Sequence, residues 1–199
     1  QEGITHIEIY VSGRRFTYNG DGDRHLYHPV TGDRLAFDGS LELDRGRFEL
    51  ENPDDGMRVK GVDMGAHSGQ SPLHHWRMAF MQDPERLHEV AKEAVRIAKA
   101  AAENAKGRAR VTMTFVVDGQ EFEVTTGRGR IRISCKSGRH RSVVLAQRLA
   151  EFLRAFGFTV SIYYLHNYAG VTDMQGEQRH NGQPCGCQHA ALMCEIRTR

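Results

Sequence analysis

The feature that most constrains this chain is the run from Ile131 to Leu165. Ile131–Cys135 alternates apolar and polar residues, as a strand with one buried face requires. Five residues then turn. From Arg141 to Phe156, Leu145, Leu149, Phe152, Leu153 and Phe156 recur at helical spacing, and Gly157 supplies a stop. Phe158–Leu165 reads as the next strand. Strand, helix and strand in this order predict a right-handed crossover between parallel strands, and hence an α/β fold.

The turn reads Cys135-Lys136-Ser137-Gly138-Arg139-His140-Arg141-Ser142. A loop that leaves a strand and enters a helix directs its unpaired amides, with the positive end of the helix dipole, at one point. That geometry favours an anion. Gly138 permits the tight turn and a close approach of ligand to backbone. Arg141 can offer a planar fork to two phosphate oxygens. Ser142 can donate its hydroxyl to the ligand or to Cys135. Amide dipoles and Arg141 together would favour the thiolate of Cys135. The bland alternative makes Cys135 a small buried hydrophobe and leaves Arg139 and Arg141 as solvated charges, although the helix dipole disfavours arginines at that end.

The rest of the chain supplies the frame. Residues 4 to 50 carry short β-like runs (Ile4–Val11, Arg34–Phe37, Leu41–Leu43) between turn signals such as Asn19-Gly20 and Asp44-Arg45-Gly46. Asn52-Pro53-Asp54-Asp55-Gly56 breaks the pattern. We therefore expect a β-rich appendage or subdomain over residues 1–55 and an α/β anion-binding domain over 56–199. Arg58–Asp63 is a candidate strand leading into a Gly- and His-rich loop. Asp83 caps and Pro84 opens a helix through Lys106, with Leu87, Val90, Ala94, Ile97, Ala98 and Ala101 on one face. Asp118-Gly119 joins Val111–Val117 to Glu121–Thr125 as a hairpin. The expected sheet is mixed. The single Trp, Trp76, is expected to anchor a loop to the core. His166 and Tyr168, just past the last strand, are expected beside the loop at Cys135, since ligands collect at the carboxyl ends of such strands.

Charge is uneven. The net is only +2, so the charge of the molecule as a whole does not argue for nucleic-acid binding. Yet Lys106, Arg108, Arg110, Arg128, Arg130, Arg132, Lys136, Arg139 and Arg141 fall in one stretch that holds only Asp118, Glu121 and Glu123 as acids. Arg128, Arg130 and Arg132 would share one strand face. No apolar run is long enough to span a membrane, and the first residues lack a signal peptide's apolar region. The cysteines, Cys135 alone and Cys185, Cys187 and Cys194 together, are not spaced as a disulfide framework. They suit a reducing, cytoplasmic compartment. Cys185, Cys187, His189 and Cys194 offer thiolate and imidazole ligands suited to zinc; the alternative is a free-thiol loop with Cys194 buried.

Two families share the loop. Cys-x-x-Gly-x-x-Arg-Ser resembles the loop of cysteine-dependent phosphatases. That resemblance implies Cys135 as nucleophile, Arg141 holding the phosphoryl oxygens and Ser142 assisting breakdown of a phospho-enzyme. Ser134 replaces the usual His, and Asp63, Asp83 and Asp173 are the candidates for a general acid. The longer run Cys135, Gly138, His140, Arg141, Ser142 and Val143, with the helix and strand that follow, is similar to the C-terminal domain of the RapZ family of RNase adaptors. In that alignment Asp63 and His67 match upstream positions. The family's Walker loop does not occur in these residues.

The RapZ-like resemblance implies a sensor or adaptor that binds a phosphorylated small molecule, a sugar phosphate, and engages RNA or a ribonuclease. The candidate ligand set is Lys136, Ser137, Gly138, Arg139, His140, Arg141, Ser142, Asp63 and His67, with phosphate or sulfate as simpler occupants. A cysteine phosphatase using Cys135 is the rival reading, and an RNA-binding adaptor is the third. A second copy of the chain is a further candidate partner.

Overall fold

The structure is a computed structural model that describes residues 5–16, 26–53, 58–59, 62–63, 69, 72–108, 111–166, 179–180 and 183–184. In chain order the elements are β1 (His6–Gly13), β2 (Gly39–Glu42), β3 (Arg58–Val59), β4 (Val62–Asp63), α1 (Pro72–Met81), α2 (Pro84–Lys106), β5 (Val111–Val117), β6 (Gln120–Thr126), β7 (Arg128–Cys135), α3 (Arg141–Ala155), β8 (Thr159–Tyr164), β9 (Arg179–His180) and β10 (Gln183–Pro184). A 3-10 turn, Arg14–Phe16, follows β1.

Four strands form one sheet in the order β2-β7-β1-β8, and every pairing in it is parallel. The α/β expectation holds. Antiparallel pairing is confined to separate two-stranded units, of which β5–β6 is the hairpin read from Asp118-Gly119. Both turn residues have positive φ (51° and 76°), as a tight hairpin turn requires.

The division expected at residue 55 does not separate the strands. β1 lies between β7 and β8, with Ile9 opposite both Ile131 and Ile162, and β2 pairs with β7. The run His6–Gly13 alternates only weakly because all eight residues are buried. A parallel strand covered on both faces loses the polar side that alternation depends on. Of the expected strand over Arg34–Phe37, an isolated bridge between Tyr27 and Arg34 remains.

One sheet face carries Ile7, Ile9, Val11, Ile131 and Ile133, and these join α2 and α3 in the main core. α2 turns Val90, Ala94, Ile97, Ala98, Ala101, Ala102 and Ala105 inward, while the Asp83 side chain accepts from the Glu85 amide and Gly107 closes the helix. The small alanines let the helix axis approach the sheet closely. Helix α1 had no sequence signal strong enough to be read. Its Trp76 is 57 % exposed and lies 5.1 Å from the ring of Phe80, itself 72 % exposed, so the expectation that Trp76 anchors a loop to the core is corrected.

The other face is polar and aromatic. Tyr10 stacks on Tyr163 at 4.8 Å, and Leu26, Leu35 and Phe37 cover them. Glu8, 1 % exposed, faces Arg130 at 3.0 Å and Arg128 at 3.2 Å, and accepts from the Tyr10 hydroxyl at 3.0 Å. Burial first, and then the nearby Glu8 carboxylate, push the Tyr10 phenol well above its ordinary value. At the edge, Asp38 accepts from the Arg130 amide and pairs with Arg108 just beyond α2. Burial alone would raise its carboxyl, but those partners hold it below the usual range.

Candidate functional site

All four parallel strands end at the same edge, and the sequence-predicted loop leaves it after β7. Cys135 faces the helix side, is 3 % exposed, and its Sγ lies 3.1 Å from Ser142 Oγ. Ser142 is fully buried at the first turn of α3. Lys136 is exposed, Ser137 and Arg139 are half-buried, and Gly138 and His140 are buried.

The loop is shaped from behind. Gly138 has φ +67°, and a Cβ there would stand 2.3 Å from the Gly13 nitrogen; a Cβ on Gly13 would stand 2.4 Å from the Ser137 carbonyl carbon. Gly138 in the loop and Gly13 at the end of β1 therefore let the loop lie directly against β1. Three of the loop carbonyls accept from backbone amides, the last through the opening hydrogen bond of α3. Lys136 O accepts from the Arg15 amide at 3.1 Å, Arg139 O from the Gly69 amide, and His140 O from the Val144 amide at 3.0 Å. The amides of the first turn of α3 have no acceptor within the helix itself.

Arg141 departs from its expected role. It is 8 % exposed, and its Nη1 donates to Leu50 O at 2.8 Å and to Leu43 O at 3.3 Å. The guanidinium is thus a strut between α3 and the segment after β2. Its Nε is buried and has no hydrogen-bond partner among the described residues. His140 does not cap α3 with its side chain; its ring stacks on that of buried His74, at 4.8 Å.

β1 and β2 bring residues that the sequence did not point to. Arg14 Nη2 and Nε reach Asp44 Oδ2 at 2.7 and 2.9 Å. Since β1 and β2 flank β7, this ion pair crosses the end of β7 at the base of the loop. Arg15 lies over the ring of Phe16, and Phe16 lies 5.0 Å from His166. The expected place of His166 is met: its Nδ1 accepts from the Gly13 amide at 2.9 Å, which puts the proton of the neutral ring on Nε2. The signal missed for Arg14, Arg15 and Asp44 was the assignment of their strands to an appendage.

The remaining candidates divide by what is described. Asp63 lies in β4, opposite Arg58, and only its backbone is described. His67, Asp173, Tyr168 and the zinc set Cys185, Cys187, His189 and Cys194 lie outside the described residues. Among the described residues no group of three or more His, Cys, Asp or Glu side chains could hold a metal. Arg128 and Arg130 do share a face, but both pair with Glu8, while Arg132 Nε donates to Ser12 Oγ at 3.0 Å.

Three histidines carry a pH dependence. Burial lowers His6, His75 and His166, with Arg148 adding to the effect on His75 and Arg132 to that on His166. A histidine held below its ordinary value binds protons more readily in the unfolded chain, so stability is complete above the ordinary value near 6.5 and is lost as pH falls below it. The urea midpoint is expected to drop between pH 7.5 and 5.5, with a shallower drop in His6→Asn. A flat or rising midpoint would contradict this.

The fold and the site define a two-layer parallel α/β module with a strand–loop–helix turn built around backbone amides. Residues 78–167 match the model of the RapZ C-terminal domain, so the likeness first read from the loop extends from the last turns of α1 through β8. β1 and β2 lie outside the matched stretch. No curated protein matches the chain. No helix among the described residues is long and apolar enough to cross a membrane.

Proposed function

We propose that this chain is a sensor or adaptor module that holds a phosphorylated small molecule, a sugar phosphate, in the loop between β7 and α3. The observation that carries this reading is the loop's backbone: the carbonyls of Lys136 and Arg139 accept from the amides of Arg15 and Gly69, that of His140 takes the opening bond of α3, and Gly138 at φ +67° packs against Gly13. Such a turn is preorganised for an anion and needs little rearrangement to accept one. Lys136, Arg139 and Arg15 supply positive charge around it. Arg141 would reach the ligand through Nε rather than through the fork, because Nη1 is held by Leu43 and Leu50. The resemblance adds Asp63 and His67 for the rest of the ligand. The match to the RapZ C-terminal domain supports the sensor or adaptor role, and with it RNA or a ribonuclease as partner.

A thermal-shift titration with a hexosamine phosphate tests the reading. At about a hundredfold excess over Kd, linkage gives about 2.7 kcal/mol, or roughly 5–10 °C for a chain of this size. Lys136→Glu should abolish most of the rise. Equal shifts with the unphosphorylated sugar, or no shift, would overturn the proposal.

The phosphatase reading keeps one observation in its favour, the 3.1 Å contact of Cys135 Sγ with Ser142 Oγ. Against it stand the burial of the sulfur and the inward commitment of Arg141. Turnover of p-nitrophenyl phosphate that disappears in Cys135→Ser would favour catalysis over sensing.

A further inference from the structure

We propose that the groove between the outer surfaces of α2 and α3 docks an acidic amphipathic helix of a partner protein. The groove has a volume of about 660 Å³ and lies on the helix layer, between the middle parts of α2 and α3 rather than at the loop. Its floor is apolar, with Ala91, Val95, Leu145, Leu149 and Phe152 among its residues. The sequence places Phe152 and Phe156 on the buried side of α3, yet they are 40 % and 64 % exposed, with ring centroids 4.7 Å apart. Phe156 extends the apolar strip beyond the groove. An exposed strip of this kind on a helix pair is a mark of an interaction surface.

Charge selects the occupant. Lys92, Arg96 and Lys99 line the α2 side and Arg148 the α3 side, and no carboxylate lines the groove. Two acids on α2 pair with these cations without lining the groove: Glu89 lies 3.5 Å from Lys92 and 3.9 Å from Arg47, and Glu93 accepts two hydrogen bonds from Arg96. The i,i+3 pairs of Lys92 with Glu89 and of Arg148 with Glu151 are exposed on both sides and worth little, so a better-placed carboxylate can displace them, whereas Glu93, 19 % exposed, keeps Arg96. The lining runs from His88 to Lys99 along α2, about three helical turns at roughly 1.5 Å per residue. A helix with leucine-like anchors at i, i+3/i+4 and i+7 and acids on both flanks fits that length, floor and rim. A nucleic acid would match the cations but leave the apolar floor without a partner.

The test uses the full chain and fluorescein-labelled synthetic helices of eighteen residues. One has leucines on a single face and glutamates on both flanks. A second keeps the leucines but carries lysine flanks, and a third keeps the glutamates but replaces each leucine by serine. Saturable polarisation is expected with the first peptide only. Lys99→Glu combined with Arg148→Glu, two exposed positions, should weaken it at least tenfold and admit the lysine-flanked peptide, with circular dichroism unchanged. Failure of the first peptide to bind, or equal binding of the second, would overturn the proposal. Equal binding of the serine peptide would assign the surface to polyanions instead. Light scattering that shows a dimer dissociated by Phe152→Asp would assign the groove to a second copy and overturn the proposal as well.

Discussion

Gly138→Ala is expected to cost roughly 3–5 kcal/mol, or to leave the chain unfolded, because it combines a disfavoured backbone conformation with overpacking. The φ of +67° lies where a side chain is strained whatever the space, and here there is no space. The new Cβ would meet Gly13 N at 2.3 Å and Ser12 C at 2.5 Å. These are backbone atoms of the inner strand β1, so neither can move aside without disturbing its pairing with β7 and β8. Gly13→Ala should do comparable damage, since it attacks the same contact from the other side, and the two costs should not add in the double variant. Urea denaturation measures all three. A Gly138→Ala protein of unchanged stability would mean that the loop does not lie against β1.

Arg141→Ala is expected to lower stability by about 1–3 kcal/mol, the cost of a buried acceptor left unsatisfied, since it strips the donor from Leu50 O while Leu43 O keeps its bond from the Leu50 amide at 2.9 Å. Leu50 is 2 % exposed and Leu43 is fully buried, so water cannot easily replace the guanidinium. Arg141→Lys should recover part of the loss, because both carbonyls accept from the single nitrogen Nη1 and an ammonium has the donors to replace it, though on a differently shaped side chain. The measurement separates two roles that the motif alone merges. A purely ligand-dedicated arginine would leave the free protein as stable as wild type and abolish only its response to phosphorylated sugars. The strut seen here predicts a loss in the absence of any ligand.

How much of this was legible in the sequence depends on whether the signal was local. The helix from Pro84 to Lys106 and the hairpin at Asp118-Gly119 were readable to within a residue or two, because a cap, a proline, a periodic face and a turn dipeptide are all local. The loop from Cys135 to Ser142 was readable for the same reason, down to the contact between those two side chains. The place of β1 was not. Its eight residues are buried on both faces, which erases alternation, and its partners are more than a hundred residues away. That one misplacement hid Arg14, Arg15 and Asp44 from the candidate site. The direction of Arg141 was equally out of reach, since Leu43 and Leu50 come from a segment whose path depends on β2 joining the sheet. Phe152 and Phe156 obeyed helical periodicity but not its usual meaning: their face of α3 borders α2 across an open groove instead of a filled core.

The most direct test of the site is amide chemical shift. In nitrogen–proton spectra of the labelled chain titrated with a hexosamine phosphate, the backbone amides of residues 136 to 143 should move together and saturate at one Kd. Inorganic phosphate should move the same set more weakly. If those amides stay fixed while resonances elsewhere shift, the turn after β7 is a structural corner and not an anion cradle.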